Sequence, residues 1–172
     1  MDSPTRRIAF AGLIAAAYVV FTVTPPLNAV AYGGVQVRVS EALNVLALLN
    51  PLAIPALWLG AGIANLFGPF GVIDMTLGAG TTLVAATVVW LARRRPVAAL
   101  AAPVVLNALA IPVVILAAGA PEAYSLLALQ IAAGQFVAVY LLGLPLLALL
   151  RASGLADRLP GPAGPATPGT RQ

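Results

Sequence analysis

The chain has 172 residues, of which 61% are hydrophobic and 8% charged. A soluble domain carries about 25% charged residues, so this composition reads as a polytopic membrane protein. There is no His, Cys or Lys, and all nine basic residues are Arg. Disulfides, the usual zinc, haem and iron–sulfur ligands, Ser–His and Ser–Lys nucleophile pairs and a Walker A lysine are therefore excluded. No cofactor is expected. The net charge of +4 does not point to nucleic acid, because the arginines sit near segment ends, where membrane topology uses them.

In chain order, hydropathy predicts helices over 8–24, 39–50, 51–67, 72–92, 97–118 and 123–150, which suits one bundle at ~20 residues per span. The 39–67 region contains Pro51 and Pro55 and is either one kinked helix or two short ones that reverse at Asn50-Pro51. The distribution of arginine decides between them. Arg6 and Arg7 place the N-terminus inside, and Arg93, Arg94 and Arg95 mark a second inner loop. An even number of crossings must separate the two, so two short helices are expected. Arg151 and Arg158 then place the C-terminus inside. The expected fold is all-α and integral to the cytoplasmic membrane: a six-helix transmembrane bundle with cytoplasmic termini and a short second and third helix. Residues 1–152 form the membrane domain. Residues 153–172, rich in Pro and Gly, read as a disordered cytoplasmic tail. Arg6-Arg7, the apolar run and Ala29-Val30-Ala31 also resemble a signal peptide. The run is long for one, and cleavage would remove a whole helix.

From Ile8 to Ala92 the formal charges are Arg38, Glu41 and Asp74, and this topology places all three at the outer face. In "VQVRVSEALNVL", Gln36, Arg38 and Ser40 alternate along one side of an extended segment. Ser40 is suited to cap a helix, beyond which Glu41 and Asn44 share a face. Two readings stay open. Arg38 snorkels and Glu41 meets the helix dipole, or the pair marks an intramembrane functional site. Asp74 is either a helix cap or a ligand contact. The amide of Asn65, near the outer end of the third helix, can complete the same site.

Asn107, Gln130 and Gln135 lie deeper, where amides often bond between helices. Gln130 and Gln135 point about 140° apart at ~100° per residue, so both do not line one pocket. Tyr32, Phe67, Phe70 and Tyr124 fall on the outer side, where they either stack on a flat ligand or anchor at the interface. In the first helix Ala11 and Ala15 are four apart, as are Gly12 and Ala16. That small-residue spacing lets another helix approach closely.

Taken together, the segments "RIAFAGLIAAAYVVFT", "VQVRVSEALNVL", "PLAIPALWLGAGIANLFGPFGVIDMTLGAGTTLVAA", "LNAL" and "GQFVAVYLLGLPLLALL" resemble the QueT family. These are substrate-binding S-components of energy-coupling-factor (ECF) transporters, and the resemblance covers about residues 6 to 151. Its more specific parts are a Q-x-R-x-S-E-A-L core and a downstream A-N-L-x-x-P-x-G-x-x-D-x-x-x-G pattern. The resemblance implies a binding subunit for queuosine precursors, deazaguanines that bear a cyano or aminomethyl group. A membrane coupling subunit and two cytoplasmic ATPase subunits would drive release inside. The docking role would fall to Ala11 and Ala15, with Gly12 and Ala16. Substrate contacts would come from Arg38, Glu41, Asn65, Asp74, Asn107, Gln135, Tyr32 and Phe67. Gln135 stands where the family is expected to carry Glu. That Glu would meet either an aminomethyl cation or another protein group. Rival readings are an S-component for another vitamin, or a solitary proton-coupled carrier working through Glu41 or Asp74. An enzyme is disfavoured by the missing His, Cys and Lys.

Overall fold

The computed structural model describes residues 3–32 and 36–160. They form seven helices and no strand: α1 (Pro4–Val23), α2 (Leu27–Ala31), α3 (Val39–Leu49), α4 (Ala53–Asn65), α5 (Gly71–Leu91), α6 (Pro96–Ala117) and α7 (Tyr124–Ala152). Of these, α1, α5, α6 and α7 are long and apolar enough to cross a membrane, and α3 and α4 are shorter apolar helices. The two short helices are those expected from the sequence, and their reversal falls at Asn50-Pro51. The five-residue α2 has no periodic signal and was not expected.

Local chemistry sets the boundaries. The Ser3 side chain accepts from the Arg6 backbone N–H at 3.2 Å, and Pro4 opens the helix, so α1 begins four residues earlier than hydropathy indicates. It ends before Pro25-Pro26, which cannot continue it. At the α3–α4 reversal Asn50 is extended; its Oδ1 accepts from the Leu52 N–H at 2.9 Å and its Nδ2 donates to the Pro160 carbonyl at 2.6 Å. Pro55 sits in the first turn of α4, where a missing N–H costs nothing. Gly71, at φ +60°, starts α5 in a conformation that only glycine adopts freely.

The Arg6 guanidinium donates to the Arg158 carbonyl, so the two ends of the described chain meet at one end of the bundle. The α3–α4 reversal joins them through the Asn50–Pro160 bond. Pro160 is buried, so the first part of the expected tail packs on the bundle. Residues 161–172 lie outside the described residues.

The main core fills the space between α1, α3, α4, α5, α6 and α7, with Tyr18, Val45, Leu57, Leu100 and Val139 fully enclosed. A smaller cluster of Ile111, Ile115, Leu127 and Ile131 joins α6 to α7 and packs with Phe70. Outward-facing Ile8, Leu13, Val84, Leu91, Leu129 and Leu141 are exposed, as the lipid face of a membrane bundle requires. The helices α1 and α4 approach each other closely at Gly60. A Cβ on Gly60 would lie 2.8 Å from Tyr18 Cβ and 2.9 Å from the Ala15 carbonyl oxygen. Gly62 has only Ala79 Cβ nearby, at 3.8 Å. Gly60→Val is therefore expected to lower stability in detergent by about 2 kcal/mol or more through overpacking. Gly62→Ala should stay within about 0.5 kcal/mol of the parent. Thermal unfolding of the two variants side by side checks this.

Candidate functional site

At the end of the bundle opposite the chain ends, three polar segments converge. The first is the extended run into α3. Gln36, Arg38 and Ser40 are buried while Val37 and Val39 are only partly so, which is the alternation read from the sequence. The Val37 N–H donates to the Val30 carbonyl at 3.0 Å. Against α7, a Cβ on Gly134 would strike the Gln36 carbonyl oxygen, so glycine is needed there for the chain to lie on that helix. The second segment is the end of α4, with Asn65. The third is the start of α5, which is π-helical from Asp74 to Gly78.

That π turn widens the helix at Asp74 and turns its side chain into the bundle, where it is 0% exposed. Gly78 keeps the space open, since a Cβ there would meet the Asp74 carboxylate and lie 2.8 Å from Asn65 Nδ2. Asp74 is thus not a helix cap. Its Oδ2 accepts from Arg38 Nη2 at 3.1 Å. Arg38 Nη1 donates to Asn65 Oδ1 at 3.1 Å, and Asn65 Nδ2 donates to the Asp74 carbonyl at 2.8 Å. Arg38 Nε donates to the Ala31 carbonyl at 3.4 Å, and its guanidinium lies 4.9 Å from the centre of the Tyr32 ring. At 4% exposure Arg38 does not snorkel. Its charge is met by one carboxylate, two carbonyl-type oxygens and a ring face.

Glu41, 1% exposed, belongs to a separate cluster. Residues 39–44 are 3₁₀-helical, and in that geometry positions three apart eclipse. Asn44 therefore stands over Glu41 and donates through Nδ2 to both its backbone carbonyl, at 3.0 Å, and its Oε2, at 2.8 Å. The Tyr18 hydroxyl, from α1, donates to Oε1. Both partners are neutral. Arg38 and Glu41 are neighbours in sequence whose side chains go to different partners. Ser40 does not cap α3; the helix begins at Val39, and the Ser40 hydroxyl is bonded instead to the Thr22 hydroxyl at 2.7 Å.

Four buried side-chain atoms around these clusters have no hydrogen-bond partner: Gln36 Nε2, Asn44 Oδ1, Asp74 Oδ1 and Gln135 Oε1. An unmade bond of this kind costs about 1–3 kcal/mol. Asn44 Oδ1 is an acceptor without ambiguity, because its amide N–H groups both face Glu41 oxygens. A molecule that brings N–H groups to this place would complete it.

The other sequence candidates are distributed unevenly. Tyr32 is half-buried, donates to the Ala64 carbonyl at 3.0 Å, and covers Arg38. Phe67 is 65% exposed and forms no wall of these clusters. Asn107 is buried but donates back to Pro103 of its own helix at 2.9 Å. Tyr124 donates to the Leu109 carbonyl at 2.8 Å, and Phe70 packs in the α6–α7 cluster. Gln135 is buried and Gln130 only partly so, in keeping with their divergent directions. Among the docking candidates, Ala15 is buried against α4 and Ala11 partly buried, while Gly12 and Ala16 are exposed. Tyr18 was missed from the sequence, where an aromatic residue inside an apolar helix reads as core. Gly78 and Gly134 stood inside the quoted patterns with no role assigned.

Residues 8–152 match the family model described as QueT transporter. The chain belongs to the QueT transporter family. A relative from Lactococcus lactis subsp. cremoris (strain MG1363), named Queuosine precursor transporter QueT, is 43% identical over 82 residues, 48% of this chain and 48% of the relative. The match thus spans about half the length of that relative. No solved structure matches. As a member of that family, with four helices able to cross a bilayer, the chain is a multi-pass membrane protein of a transport family.

The pairing of Arg38 with Asp74 makes a definite stability claim. Asp74→Asn leaves a buried guanidinium without a counter-charge, and the expected loss is about 3 kcal/mol or more. Replacing both partners, Arg38→Met with Asp74→Leu, should recover most of that loss. Thermal unfolding in detergent checks both. A helix-cap role would cost only about 1 kcal/mol, and the double replacement would not restore it.

Proposed function

We propose that this QueT family member is the substrate-binding membrane subunit of an ECF transporter and that it takes up a queuosine precursor of the deazaguanine class. The observation that carries this reading is the buried carboxylate of Glu41, which is held by neutral donors beside the unpartnered Oδ1 of Asn44. A guanine edge offers a ring N–H and an amino group side by side, and one carboxylate accepts from both. Arg38 is engaged by Asp74 and Asn65, so Glu41 is the first candidate for the ligand edge. The Arg38–Asp74–Asn65 group builds the wall beside it. The name of the Lactococcus relative supports the substrate class.

Six crossings with cytoplasmic termini agree with the arginine distribution and with the bundle's ends. Arg6 and Arg158 lie together at one end, and Asp74 and Asn65 at the other, which would be the outer face of the cytoplasmic membrane. The exposed Gly12 and Ala16 of α1 give a coupling subunit a flat surface to approach, with Ala11 at its margin. Energy would come from that subunit and two ATPase subunits, since this chain has no Lys for a Walker A loop.

Equilibrium binding of the aminomethyl and cyano deazaguanines to the purified protein tests the reading. Glu41→Gln should weaken binding about 100-fold, from two charge-assisted hydrogen bonds at about 1.5 kcal/mol each. Unchanged affinity in a folded Glu41→Gln protein would refute the role of the carboxylate. Tight binding of a flavin or thiamine in place of either deazaguanine would refute the substrate class.

A further inference from the structure

The Glu41 carboxylate depends on a donor from α1, the helix that reaches the polar site through Tyr18 and Thr22. We propose that Tyr18 of α1 is a positioning residue for Glu41, and that the affinity of the site is set through this one hydroxyl. The inference rests on the reading of Glu41 given above.

Tyr18 is fully buried, and so is the carboxylate to which it donates. Its Cβ and its backbone are both held in place. Its Cβ lies against Gly60 of α4, so close that no side chain fits there. Its carbonyl accepts from Thr22 at 2.8 Å, and the Thr22 hydroxyl in turn reaches Ser40, the neighbour of Glu41, at 2.7 Å. The hydroxyl is therefore aimed by the packing of α1 on α4 and not by a flexible side chain. Asn44 holds the other oxygen, Oε2, from within α3 itself. Glu41 is thus held by one donor on its own helix and one on α1. The first moves with the carboxylate. The second does not.

This division gives α1 a role in the site. A Glu side chain in a dry interior samples several rotamers unless both oxygens are held, and each lost orientation weakens recognition of a planar edge. Removing the hydroxyl leaves Oε1 without its protein donor and Glu41 free to turn. The same helix exposes Gly12 and Ala16 on another side. A shift of α1 would displace the donor relative to the carboxylate and loosen the bound molecule without any change in α3.

The test is a double-mutant cycle on the full chain, read as dissociation constants for the aminomethyl deazaguanine, with thermal unfolding alongside. Tyr18→Phe keeps the ring against Gly60 and should lower affinity about 10-fold, the worth of one hydrogen bond to a charged group. Tyr140→Phe is the matched control. Its hydroxyl donates to the Val97 carbonyl at 2.8 Å, away from the site, and its removal should leave affinity within about twofold. In a Glu41→Gln background, Tyr18→Phe should add less than about twofold, because its effect passes through the carboxylate. Wild-type affinity in Tyr18→Phe overturns the proposal. So does a loss that multiplies fully with that of Glu41→Gln, which is what general damage to α1 packing would give. If Glu41→Gln itself binds like wild type, the reading of Glu41 fails and the proposal with it. If Glu41→Gln loses binding while Tyr18→Phe does not, only the role of Tyr18 is wrong.

Discussion

A guanidinium stays inside an apolar bundle only when its charge is matched and its N–H groups are satisfied, because the desolvation cost otherwise exceeds what packing returns. Here Asp74 supplies the charge, Asn65 and Ala31 supply acceptors, and Tyr32 supplies a ring face. Those four residues come from the segments before α3, at the end of α4 and at the start of α5. The buried Arg38 therefore fixes how the connections at this end of the bundle meet. The π turn at Asp74–Gly78, the glycine at 78 and the glycine at 134 under the Gln36 backbone all serve that convergence.

Arg38 pairs directly with Asp74, and among the described residues Glu41 forms no direct ion pair. Two acids and one base share the buried end, so the cluster has more acceptor capacity than the protein uses. Of the four unpartnered atoms around these clusters, three are acceptors, on Asn44, Asp74 and Gln135, and one, Gln36 Nε2, is a donor. A small planar molecule rich in N–H groups fits that imbalance. The family to which the chain belongs is one of transporters.

Much of the fold was legible because membrane helices announce themselves. Long apolar runs gave four of the helices, the arginine clusters required a reversal between residues 39 and 67, and the reversal lies at Asn50-Pro51. The alternation of Gln36, Arg38 and Ser40 and the pairing of Glu41 with Asn44 were also readable, since both depend on local periodicity. What escaped depends on contacts between distant segments. Arg38 meets Asp74 across 36 residues, and nothing in either neighbourhood says so. Tyr18 looks like any aromatic in an apolar helix. The helix α2 is too short for a periodic signal, and the π turns carry no local composition that separates them from α-helix. Phe67 was a reasonable wall residue by position, but its side chain faces outward. Asn107 spends its amide on its own helix.

One measurement bears most directly on the division of labour between the two buried acids. An experimental structure of the protein with a deazaguanine bound would show which carboxylate meets the ring. The expected result is the guanine edge on Glu41, with Tyr18 still bonded to that carboxylate and Arg38 still paired with Asp74. A ligand edge seated on Asp74 or Arg38, with their pair broken and Glu41 still held only by Tyr18 and Asn44, would contradict it.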